Sequence, residues 1–89
     1  MTRSGSVKVP DGKLVEVTLT GDERIESARV TGDFFLEPPE ARAELEAALE
    51  GKPLDVDREA LVEAIEAVDA QFIGFDADHL AEATMEAIA

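Results

Sequence analysis

The stretch VTGDFFLEPPEA, residues 30–41, is where the pattern of this chain changes. Upstream of it apolar residues recur every second position, and downstream they recur at helical spacing. Strands therefore come first and helices after, which is the order of an α+β domain with helices on one face of a small antiparallel sheet. The junction also joins Phe34 to Phe35, two of only four phenylalanines in a chain with no Trp or Tyr. Neighbouring side chains of an extended segment point to opposite faces, so both rings cannot enter one core layer. One ring is expected to seal the sheet to the first helix and the other to face a groove or a partner. Gly32 would permit an unusual backbone angle or a close approach, and the Asp33 carboxylate could accept backbone N–H bonds.

Working back toward the N-terminus, Val15, Val17 and Leu19 alternate with Glu16, Thr18 and Thr20, the mark of a half-buried strand. The next strand is read over residues 24–32, with Glu26, Ala28 and Val30 on one face and Ile25, Ser27 and Arg29 on the other, a less clear pattern than that of the strand before it. PDGK at 10–13 supplies a tight turn, so the strand before it begins at Val7, and residues 1–6 are expected to be loose. The meander thus has two or three strands. The domain proper is residues 7–89.

Working forward, Pro38 suits a first helical position, because its missing N–H is an orphan there anyway. Ala41, Leu45, Ala48 and Leu49 form one stripe, and Gly51 with Pro53 ends the helix. A second helix is read from Arg58 to Ala70, capped by Asp57 or Asp55, with Leu61, Ile65 and Val68 inward. QFIGF at 71–75 reads as an apolar connector. Asp76 then caps a third helix carrying Leu80, Ala83 and Ile88 inward.

Composition narrows the function. Eighty-nine residues give one modest core and little room for a self-contained catalytic pocket. The net charge of −13, from 21 acidic and 8 basic residues, disfavours nucleic acid and anionic membrane, whose binding rests on lysines and arginines. There is no cysteine, so disulfides and thiolate chemistry are excluded. With no apolar run of signal or membrane-span length, a cytoplasmic location is expected. DVD at 55–57 and DADH at 76–79 could suggest metal ligands, but His79 has no second imidazole and helix capping explains both runs. No phosphate loop and no nucleophile–base pair is present, so no catalytic residue, metal site or cofactor is assigned to this chain alone.

Two features of charge stand out. Glu40–Glu44, Glu46–Glu50, Glu59–Glu63 and Glu82–Glu86 each place like charges four apart on a helix, at a cost of about 0.2–0.5 kcal/mol per pair in dilute buffer. Such a composition is similar to that of proteins from salt-loving microbes. Two of the three lysines, Lys8 and Lys13, flank Gly12 in the KVPDGKL turn, either as a positive spot for an anionic ligand or partner or as gatekeepers of an edge.

Together, KVPDGKLVEV, VTGDFFLEPPEA, ARAELEAALEGKPL and FDADHLAEATMEAI resemble the C-terminal accessory domain of lipoate–protein ligase, over residues 7–88. The most specific part is Gly32-Asp33-Phe34-Phe35 followed by Pro38. The resemblance implies a fold similar to iron–sulfur scaffold and sulfur-acceptor proteins, whose thiolate chemistry this cysteine-free chain lacks. It implies a non-catalytic subunit that docks on the ligase's catalytic subunit and is required for lipoate adenylation. ATP and lipoate would be used by the assembled ligase, and lipoyl-acceptor domains of 2-oxoacid dehydrogenase or glycine cleavage complexes would be indirect partners. It marks Gly32, Asp33, Phe34 and Phe35 as partner-binding, with Lys8, Gly12 and Lys13 contacting nucleotide or partner. The competing reading is a free-standing acidic interaction module, which would depend on its acidic coat rather than on the aromatic junction.

Overall fold

The computed structural model of the chain describes residues 2–10 and 13–89. Strands β1 (Thr2–Lys8), β2 (Leu14–Thr20) and β3 (Ser27–Gly32) form an antiparallel meander in the order β1-β2-β3. A short β4 (Phe35–Glu37) leads to α1 (Ala41–Leu49) and α2 (Arg58–Glu66). Then β5 (Gln71–Ile73) returns to pair with β4 before α3 (Ala77–Ile88) closes the chain. The architecture is α+β, with a three-stranded sheet, a two-stranded ribbon and three helices.

The period-two reading of β2 holds residue by residue: Val15, Val17 and Leu19 are fully buried. Their register aligns Val7–Val15–Gly32, Gly5–Val17–Val30 and Arg3–Leu19–Ala28 across the inward face. Helix α3 lies over β1 and β2, α1 lies against β3, and α2 bridges the two helices. Leu45, Leu49, Leu61, Ile65 and Leu80 complete the core from the helical side.

Residues 2–6 correct the sequence reading. They are not loose but paired along β2, from Thr2 opposite Thr20 to Ser6 opposite Glu16. Small polar residues hid this strand because its inward position is a glycine. A methyl group at Gly5 would overlap the Ala83 carbonyl oxygen and the Ala87 amide nitrogen, so α3 rests its backbone directly on β1. Ala81, Ala83 and Ala87 are buried for the same reason: small side chains let the helix approach.

Two helix boundaries also move. Helix α1 starts at Ala41 rather than Pro38, because Pro38-Pro39-Glu40 forms a tight turn in which Ala41 N–H donates to the Pro38 carbonyl at 3.0 Å. The peptide bond before Pro38 is cis. The helix ends as expected before Gly51, which takes a positive φ of 86°. Helix α2 is capped by Asp57, whose Oδ1 accepts from Ala60 N–H at 2.8 Å, but it stops at Glu66 instead of Ala70. Asp76 caps α3 in a reciprocal box: its carboxylate accepts from His79 N–H and His79 Nδ1 accepts from Asp76 N–H, both at 3.1 Å. These bonds account for Asp57 and Asp76 in the DVD and DADH runs.

The acidic helices have a structural duty that spacing alone did not suggest. β3 is an edge strand, and its outward N–H groups are met by α1: Val30 donates to Glu46 Oε2 at 2.9 Å and Ala28 to Glu50 Oε2 at 3.3 Å. At the opposite edge, Ser6 N–H of β1 meets Glu86 Oε1 of α3 at 3.5 Å. Carboxylates four apart, costly on an isolated helix, are here aligned with alternate amides of a neighbouring strand. Glu46→Ala is expected to lower unfolding stability by about 1–2 kcal/mol, since a part-buried amide loses a charged acceptor. Glu46→Gln should recover much of that loss in the same urea titration. An alanine variant as stable as the parent would show that water replaces the carboxylate at no cost.

Candidate functional site: the aromatic junction

Gly32 ends β3 with φ 151°, and a side chain there would strike the Leu14 carbonyl oxygen. That carbonyl accepts the Asp33 N–H at 3.0 Å. Asp33 therefore contributes its backbone as donor; its carboxylate accepts no hydrogen bond from the described residues, in contrast to the expected turn contact. With the chain turned at this point, Phe34 and Phe35 separate. Phe34 is 8% exposed and Phe35 is 67% exposed, as alternation requires.

Phe34 meets Phe75 with ring centroids 4.3 Å apart and planes tilted by 43°, and Phe75 stacks on Phe72 at 5.1 Å. Three of the four phenylalanines thus form one cluster that ties the junction to the segment before α3. The ribbon explains why: Phe35 pairs with Ile73, Leu36 with Phe72 and Glu37 with Gln71. Leu36 and Phe72 turn inward, while Phe35 and Ile73 sit together on the outer side, Ile73 being 39% exposed. Reading 71–75 as a connector missed this pairing. Its signal was the β-prone Gln71-Phe72-Ile73 triplet closed by Gly74, too short to register without its partner strand.

A shallow groove of about 320 Å³ borders this ribbon, lined by Phe34, Phe35, Leu36, Pro39 and Arg42. Lys13 reaches the residue after β5: a methyl placed on Gly74 would lie 3.7 Å from its Cγ and Cε. Its aliphatic stem thus runs along Gly74, in the loop between β5 and α3. Lys8 stands apart from Lys13, on the outer face of the sheet opposite Leu14, which is itself 39% exposed. Gly12 lies outside the described residues. Of the residues marked in the sequence, Gly32, Asp33, Phe34, Phe35 and Lys13 border this ribbon, together with Ile73 and Arg42, which the sequence reading did not single out.

The chain is similar to one from an archaeal lipoylation system. That structure, from Thermoplasma acidophilum, is described as a bi-partite lipoate protein ligase and its E2 lipoyl domain. The likeness has a TM-score of 0.75 at 24% identity and covers 94% of each chain. At that identity it is a likeness of fold. No protein-family profile and no curated protein matches the chain. Among the described residues, no helix is long and apolar enough to cross a membrane, and no cluster of three or more His, Cys, Asp or Glu could hold a metal ion.

Proposed function

We propose that this chain is the non-catalytic accessory component of a two-component lipoate–protein ligase. In this reading it docks on the catalytic component, and ATP-dependent adenylation of lipoate requires it. The observation that carries the reading is a likeness of fold running end to end, over 94% of both chains, to a member of a lipoylation system that includes a bi-partite ligase. The exposed Phe35–Ile73 pair, on a corner fringed by Lys13 and Arg42, supplies an apolar anchor of the kind that docking interfaces use. The catalytic component holds ATP and lipoate; this chain brings the docking surface. Lipoyl-acceptor domains are partners of the assembly.

The test is adenylate formation by the catalytic component of the same organism, with and without this chain, followed by mass spectrometry of every chain after adding acceptor domain. Adenylation that appears only in the mixture supports the reading. A lipoyl group found on this chain's own lysines would make it an acceptor and overturn it. Adenylation unaffected by the folded chain would return it to an acidic interaction module.

The assay belongs in molar KCl, because the acidic coat fits a salt-rich setting. With a net charge of −13, self-repulsion is screened as the Debye length falls to roughly 3 Å in molar salt. The thermal midpoint should rise steadily from dilute buffer to molar KCl; a flat or falling midpoint would remove the salt-adapted reading. Lys13→Ala is expected to leave the fold intact and to slow adenylation by the mixture several-fold. Unchanged kinetics would free Lys13 from any role at the nucleotide or the partner's rim.

A further inference from the structure

The two sheets treat their free backbone differently. Both edges of the large sheet are met by helix carboxylates, from Glu46 and Glu50 on β3 and from Glu86 on β1. None of the side chain–backbone hydrogen bonds among the described residues reaches β4 or β5. An uncovered strand edge is a template for pairing with another extended segment.

The surroundings of β4 say what kind of segment fits. The groove bordered by Phe35, Leu36 and Pro39 accepts an apolar side chain. Arg42 lines that groove and the Lys13 stem passes along Gly74, directly after β5, so two of the chain's eight lysines and arginines flank the ribbon. We propose that the β4–β5 ribbon is a strand-addition site, in which an extended segment of the catalytic component, alternating apolar and acidic residues, pairs with the free backbone of β4. The choice of partner rests on the functional reading above; the pairing chemistry does not.

The experiment uses amide exchange by NMR on the full chain, with an acetylated peptide alternating Val and Glu as probe. A second peptide of the same sequence is N-methylated at every other residue, so that it cannot pair along an edge. At millimolar peptide, the β4 amides that face away from β5 should exchange at least about tenfold more slowly, and the N-methylated peptide should have no such effect. No slowing, or equal slowing by both peptides, overturns strand addition. The same exchange measured with the catalytic component separates the two proposals. A complex that forms while those amides still exchange freely sinks strand addition and keeps the accessory reading. Slowing by the peptide with no complex keeps strand addition and sinks the choice of partner.

Discussion

Gly5→Val should lower the unfolding free energy by at least about 3 kcal/mol, a large part of the 5–15 kcal/mol that small domains possess. The obstacles to a side chain at this position are the Ala83 carbonyl oxygen and the Ala87 amide nitrogen. These are backbone atoms, and no rotamer change moves them aside. To admit valine, α3 must lift from β1 and β2, and Leu80, Ala83 and Ala87 lose contacts with the sheet. Ser4→Val is the control. It sits one residue away on the outward side of the same strand, and there a β-branched residue should change stability by no more than about 0.5 kcal/mol. Urea titrations of both variants decide the matter; a stable Gly5→Val would mean that α3 does not seat on β1.

The second large effect divides two adjacent identical residues. Phe34→Ala removes a ring that contacts Phe75 in the cluster, and should cost roughly 3–5 kcal/mol of stability. Phe35→Ala removes a ring that is 67% exposed, and should leave the fold standing while costing on the order of 2 kcal/mol in affinity for the catalytic component. Calorimetry of binding beside thermal melts of the isolated chain measures both. If Phe35→Ala unfolds the domain, or binds as tightly as the parent, the ribbon is not the docking surface.

Local chemistry made much of this visible beforehand. The Val15, Val17, Leu19 alternation, the Asp57 and Asp76 caps and the opposed fates of Phe34 and Phe35 each follow from rules that reach only a few residues along the chain. The errors share the opposite character. Pro38-Pro39 fits a helix entry and a tight turn equally well, so local pattern places the start of α1 three residues early. Gly5 gives no apolar signal, so local pattern starts β1 only at Val7; the glycine's value lies in what it allows α3 to do.

What the sequence by itself determined was the class of fold, the order of the meander and the three helices, the faces of β2 and α3, and the impossibility of thiol chemistry. Periodicity and capping are properties of consecutive residues, and they survive without knowing the neighbours. Only the tertiary structure decided that Gln71–Ile73 is a strand, that Glu46, Glu50 and Glu86 serve the sheet edges, and that Phe35, Ile73, Lys13 and Arg42 meet at one corner. Each of these depends on residues brought together from distant parts of the chain, and burial of the common core, not any local preference, supplies the free energy that brings them there.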